Sequence, residues 1–377
     1  MSNGAAMTPS LPSLSYIDPS QFSEEKTHLF AREWMAACRS EEVPGPGDFH
    51  VVDLLGESVL IRRGAEGGLR AHHNVCRHRG ARLCLGEGAR KWEQANIPDA
   101  VSAAGHVRCP YHGWVYDVDG ALVAAPHIGD DPSFDHEPFS LYPVGLAEWG
   151  GFVFLRLDLE AGAHLDAQIG EAGARINNYP LGDLRIGHRI DYEVDANWKI
   201  ICENYNECYH CGPVHPELCA LVPAFRNGGG QGLDWLRGIP HRVGAVTFTW
   251  TGQTSRAPFP GLDQDELVRH KGELIYPNLF LSLARDHVAA FVLHPKGPTS
   301  TRVECLFLFA AEEVSRADFD HTDASGFWDT VNRQDWAICE RVQLGMASSV
   351  HTQGYYAPME DANLDMRRYL HERLNRP

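Results

Sequence analysis

An α+β fold in two parts is predicted: a small all-β domain, then a larger domain with an antiparallel sheet flanked by helices. Three observations predict it. Short alternating segments bounded by Gly and Asp-Gly turns fill residues 40–158. Longer strand patterns without intervening helices recur after residue 187. A long helical pattern follows the last of them. The chain has 377 residues, 44% of them hydrophobic and 22% charged, which suits two or three ordinary domains with sizeable cores.

Taken in order, residues 1–20 are rich in Ser, Pro and Ala and are expected to be loosely ordered. They hold no Lys or Arg and no apolar core segment, so no secretory signal is expected there. Phe22 to Cys38 reads as a helix with Phe22, Leu29, Phe30 and Trp34 on one side. From Phe49 the pattern becomes β-rich: HVVDLLG, SVLIRRG and LRAHH, then the hairpin WVYDVDGALV turned by Asp119-Gly120, and finally GGFVFLRLD. Beyond it, HRIDYEV leads into a helix from Asn197. RVGAVTFTW, LIYPNLFLSLA, HVAAFVLHP and TRVECLFLFA read as long antiparallel strands, and a last long helix spans roughly 326–347. The domains expected are therefore 1–39 as an N-terminal segment on the catalytic domain, 40–158, and 159–377.

Formal net charge is −17, which argues against a nucleic-acid surface and suits a cationic substrate or a basic redox partner. No apolar run approaches the ~20 residues of a membrane span. Ten cysteines clustered with histidines suggest metal rather than disulfides, in a cytoplasmic setting.

Two constellations carry chemistry. In the β domain, Cys76 and His78 stand in CRHRG, and Cys109 and His112 in CPYHGW. A Cys₂His₂ set suits zinc, but zinc spacings usually pair Cys with Cys and His with His. One thiolate and one imidazole on each of two loops favours a two-iron cluster, with both Cys on one iron and both His on the other.

The second is NWKIICENYNECYHCGPVHPEL, residues 197–218. As a helix it places Glu203, Glu207 and His210 on one face, with Gly212 and Pro213 breaking it and His215 folding back toward His210. Two histidines and one carboxylate with open positions mark non-haem Fe(II) oxygenases. Asp335 is the candidate carboxylate: it falls inside the apolar stripe Trp328, Val331, Ile338, Cys339, Val342 and Met346, where a carboxylate must be paired or bind a metal. Its alternative partners are Arg333 and Arg341. Cys208 and Cys211 bracket His210, and a packed helix end is expected there rather than a redox disulfide. His72 and His73 are expected on a strand, and Trp198 and Lys199 at the helix start. RNGGGQG (226–232) lacks a phosphate-loop Lys and reads as a loop near the site.

These motifs in this order, CxH…CPYHGW and then NWK…EN…ECYHC…VHP, resemble the large subunit of Rieske-type non-haem iron oxygenases, from about residue 25 to the final helix. The resemblance implies a Rieske [2Fe–2S] domain and a helix-grip type catalytic domain. It makes Cys76, His78, Cys109 and His112 cluster ligands, His210, His215 and Asp335 ligands of mononuclear Fe(II), and Asn204 a neighbour of that iron. Family members use O₂ and electrons from a separate NAD(P)H reductase, and the chain has no flavin or nicotinamide fingerprint of its own. Trimers are implied, with the cluster of one subunit serving the iron of the next. Glu207 stands where ring-hydroxylating members usually have a bridging Asp, a departure that resembles the branch acting on quaternary amines. The implied reaction is N-demethylation of a betaine- or carnitine-like compound, with Phe225, Trp235, Phe248, Trp250, Phe259 and Tyr276 as candidate rings for the cation. The alternative is hydroxylation of an arene. The segment LGEGARKWEQANIPDAVSAAG between His78 and Cys109 is longer than the family's usual one and is expected to be a surface loop.

Overall fold

The computed structural model describes residues 7–86, 100–128, 131 and 133–374. Residues 87–99, most of the expected insert LGEGARKWEQANIPDAVSAAG, lie outside them. The chain forms two compact units, one of Ala31–Leu165 and one of the chain before Ala31 together with everything from Asp166 onward.

The first unit is all-β. One sheet has the order Met35–Arg39, Phe152–Arg156, Pro143–Trp149, Leu69–His73, Glu57–Arg63, Phe49–Leu54. A smaller sheet holds Ala100–Val101, Val107–Arg108, Val115–Tyr116 and Leu122–Ala124. The helix expected over Phe22 to Cys38 is corrected here. Helical structure ends at Phe30, and Met35–Arg39 is a fully buried strand paired with Phe152–Arg156. Its apolar run has no helical polar face, and a strand buried on both sides needs none. The Asp119-Gly120 turn is present; Gly120 has φ +91°, and a Cβ there would lie 2.4 Å from Nε2 of His72. His72 is buried on its strand beside Arg62, and burial holds it neutral, lowered to about 4.

The second unit centres on a six-stranded antiparallel sheet in the order Leu184–Val194, Ser300–Ala310, Val288–Gly297, Leu279–Leu283, Arg269–Ile275, Ile239–Pro240. Two strand expectations fail. LIYPNLFLSLA is a hairpin, not one strand, because the chain reverses at Tyr276–Pro277. RVGAVTFTW forms turns: Gly244 takes φ +82°, Ala245 N–H bonds back to Arg242, and the Thr247 hydroxyl donates to Asp286. Local hydrogen bonds there replace a ladder. The N-terminus is also more ordered than expected, since Thr8–Pro12 pairs with Gln353–Tyr356.

The long helix runs Thr322–Met346 and lies against the strand Leu184–Val194. The Tyr192 hydroxyl donates to Asp329 at 2.8 Å. Trp328, Val331 and Cys339 are buried as the stripe requires, while Val342 is exposed. The helix Trp198–Tyr205 is capped by Asn197, whose side chain accepts from Lys199 N–H. Lys199 is buried and paired with Glu25 at 2.7 Å, which also accepts from the Trp198 indole. No helix among the described residues is long and apolar enough to cross a membrane.

Candidate metal centres

In the first unit the two Cys/His loops are built alike. Gly80 N–H bonds to Cys76 C=O at 3.0 Å, and Gly113 N–H bonds to Cys109 C=O at 3.1 Å. Both glycines take φ +75°, the left-handed conformation such a turn needs. Each loop therefore buries its cysteine and exposes its histidine. The His78 and His112 rings approach to 4.6 Å between centroids, and His78 stacks on Trp114 at 4.9 Å. The Tyr116 hydroxyl lies 3.2 Å from the Cys76 sulfur. Cys109 and Tyr116, with backbone N–H groups of its own loop, favour a thiolate at Cys76, lowered to about 5, while the Cys109 thiol beside it is raised.

In the second unit, His210, His215 and Asp335 converge. Their ligand atoms all lie within 4.8 Å of one another. Asp335 Oδ1 is 2.9 Å from Nε2 of His215 and 3.3 Å from Nε2 of His210. The sequence expectation that the helix runs through His210 is corrected. The helix ends at Tyr205, and Glu207 caps the turn that follows, its Oε2 accepting N–H groups from Tyr209 and His210. Gly212 and Pro213 sit inside a separate short helix, Cys211–Val214, and so do not cause the break. Glu203 faces away from this centre: it is partly buried, accepts from the Tyr16 and Tyr356 hydroxyls at 2.6 and 2.5 Å, and is raised by desolvation to about 7.

Both imidazoles are oriented from behind. Glu207 Oε1 accepts from His210 Nδ1 at 2.6 Å, and Gln334 Oε1 accepts from His215 Nδ1 at 2.8 Å while its amide donates to Glu217. Each ring then presents Nε2 forward, as a metal ligand requires. Gln334 was not singled out in the sequence; its one signal is adjacency to Asp335. Asn204 Nδ2 stands 3.3 Å from His210 Nε2. Arg333 pairs with Asp329, not with Asp335. Burial disfavours charge on both His210 and Asp335, yet mutual contact wins: Asp335 and Glu207 raise His210 to about 10, and the two histidines hold Asp335 down to about 2. A carboxylate kept ionised between two imidazoles is a donor set that suits a divalent cation, and no lysine or arginine among the described residues is bonded to it.

Cys208 and Cys211 form a disulfide with Cα atoms 4.9 Å apart, against the expected packed helix end. The tight turn that Glu207 caps brings them together. The loop around 226–232 packs on this turn, since a Cβ on Gly230 would lie 3.1 Å from that of Cys208.

A cavity of about 420 Å³ opens beside the triad. Phe225, Trp235, Phe248 and Tyr276 line it, as does Trp328, which sequence reasoning had assigned to the core stripe. Trp250 and Phe259 do not: Trp250 is half exposed against Phe327, and Phe259 is core.

Residues 181–376 match the family described as ring hydroxylating alpha subunit (catalytic domain), and residues 33–135 match the Rieske [2Fe-2S] domain. The chain belongs to the ring-hydroxylating alpha subunit family. It is thus a Rieske non-haem iron oxidoreductase, and its cofactors are a Rieske [2Fe–2S] cluster and a mononuclear iron. This ring-hydroxylating alpha subunit is 28% identical to the glycine betaine monooxygenase oxygenase subunit of Chromohalobacter salexigens, over 92% of this chain and 82% of that one. It is 36% identical over 218 residues to the carnitine monooxygenase oxygenase subunit of Escherichia coli, which is 57% of this chain and 54% of that one. The solved quaternary ammonium Rieske monooxygenase CntA in complex with L-carnitine superposes with a TM-score of 0.73 at 25% identity, covering 99% of this chain and 96% of that one. Naphthalene 1,2-dioxygenase from Rhodococcus sp. shares the fold, with a TM-score of 0.72 at 20% identity over 97% and 93% of the two chains.

Proposed function

We propose that this protein is the oxygenase component of a two-component system that hydroxylates an N-methyl group of a small quaternary ammonium compound of the betaine or carnitine type. The observation that carries this reading is the aromatic cavity beside His210, His215 and Asp335, in a chain whose relatives are named for glycine betaine and carnitine. A methylated ammonium has no N–H to donate, so ring faces are its natural partners, each contributing roughly 0.5–2 kcal/mol. The formal charge of −17 also favours a cation.

In this reading Cys76, His78, Cys109 and His112 hold the cluster, and His210, His215 and Asp335 hold the iron. The two cysteines lie against each other and the two histidine rings meet at 4.6 Å, a two-and-two grouping that suits a two-iron cluster. When bound, the two groups supply electrons and O₂ activation. The chain's residues do the rest. Glu207 and Gln334 keep each Nδ1 proton in place, Asn204 flanks the iron face of His210, and the rings exclude water and hold the cation with a methyl group toward the triad. O₂, two electrons and two protons convert the N-methyl to N–CH₂OH and water; the hemiaminal then collapses to formaldehyde and the protonated tertiary amine. The electrons come from a separate NAD(P)H reductase, and a homotrimer brings the cluster of one subunit to the iron of the next.

Turnover of glycine betaine, proline betaine or carnitine with reductase and NADH is expected to release formaldehyde in step with O₂ uptake. No formaldehyde from any of them, alongside phenol or diol formation from an arene, would establish aromatic hydroxylation instead.

Glu207→Gln is expected to keep both metals and to lower coupled turnover about 10–100-fold. The carboxylate accepts from His210, and in this reading it accepts a second imidazole N–H from a neighbouring subunit, whereas an amide turns one of those positions into a donor. Formaldehyde per O₂ consumed is the measurement; wild-type coupling would reduce Glu207 to a cap of its own turn.

A further inference from the structure

The cavity beside the triad is acidic. Glu207, Glu273, Asp335 and Asp365 line it, and Arg175 is the one arginine or lysine among its described lining residues. Arg175 ends the helix Leu165–Arg175, and Glu273 lies on the strand Arg269–Ile275. Glu273 accepts from Nε at 2.7 Å and from Nη2 at 2.9 Å, a two-point clamp that fixes the plane of the guanidinium. Nη1 is left over. Among the described residues its ionic neighbour is Glu171, 3.8 Å away, beyond hydrogen-bond distance, on a side chain that is 97% exposed. Arg175 lines the cavity, and a guanidinium fixed in its plane with Nη1 not hydrogen-bonded to any described residue matches an oxyanion. Elsewhere in this cavity the lining carboxylates repel one.

We propose that Arg175 is the specificity-determining anchor for a carboxylate on the substrate, so that the cavity selects a zwitterion with its ammonium head among the rings and its carboxylate on Nη1 of Arg175. This rests on the quaternary ammonium reading and adds to it a required second charge and the residue that recognises it. Glu171 is the group displaced, and its side chain returns to water.

The test is calorimetric affinity of the full metal-loaded protein for two matched pairs: glycine betaine against choline, and γ-butyrobetaine against butyltrimethylammonium. In the wild type the carboxylate-bearing member of each pair is expected to bind about ten- to a hundredfold more tightly. Arg175→Gln is expected to erase that difference and leave the carboxylate-free members within about threefold of wild type, a split that general destabilisation does not produce. Arg175→Lys guards against misfolding of the first variant. It keeps a cation for Glu273 but offers no second N–H edge, and it is expected to lose the preference as well. A wild-type protein that binds both members equally overturns the inference while leaving the substrate class intact. So does a preference retained in either variant. Failure of all four compounds to bind overturns the quaternary ammonium reading, and the inference with it.

Discussion

Asp335→Ala is expected to lose the mononuclear iron and essentially all turnover while the cluster's visible absorbance is unchanged. Asp335 Oδ1 stands between Nε2 of His210 and Nε2 of His215, and it is the only carboxylate in that group. Without it two neutral imidazoles remain, and neither compensates the charge of a divalent ion. The loss in iron affinity should exceed the about 10–100-fold typical of removing a residue behind a ligand. The fold has other support at this point. The helix Thr322–Met346 is held by Trp328, Val331 and Cys339, and His215 keeps its bond to Gln334. Iron analysis of the purified variant, with an absorbance spectrum of the same sample, is the measurement. Full iron and wild-type activity would show that another carboxylate completes the site.

Cys76→Ala, or His112→Ala, is expected to give the opposite result: no visible cluster absorbance and no acid-labile sulfide, with the mononuclear site still able to load iron. The two donor sets share no residue and belong to different compact units. The cysteine change removes the thiol that Tyr116 and the loop's backbone N–H groups favour as thiolate. The histidine change removes an exposed ring and leaves the buried core around Cys76, Cys109 and Trp114 in place. A variant that kept acid-labile sulfide, or a wild-type protein that carried one zinc and no sulfide, would overturn the cluster assignment.

The contrast between what was legible and what was not follows the range of the interactions. CRHRG and CPYHGW could be read because each loop is closed by its own backbone, Gly80 to Cys76 and Gly113 to Cys109. His210 and His215 are five residues apart on one turn. Asp335 is 120 residues from His215, yet it was found because a carboxylate in an apolar stripe carries its own physical contradiction. Gln334 has no such contradiction. An amide on a helix edge looks solvated until the fold brings His215 against it.

The errors share one cause. Met35–Arg39 reads as a helix end until Phe152–Arg156 pairs with it. Arg242–Trp250 has the composition of a strand, but its hydrogen bonds go to Gly252, Asp286 and Gln253. Cys208 and Cys211 look like neighbours on a helix face until Glu207 caps a turn and brings them together. Among the rings, Trp328 belongs to the cavity and Phe259 to the core, and composition cannot separate them. The sequence by itself determined the two metal motifs, the all-β and antiparallel halves and the carboxylate that joins the histidines, because local spacing and burial patterns specify these. The tertiary structure alone decided which groups stand behind each imidazole, which rings line the cavity and that Nη1 of Arg175 bonds to none of the described residues, because those depend on contacts between segments far apart in the chain, and side-chain chemistry does not encode their geometry.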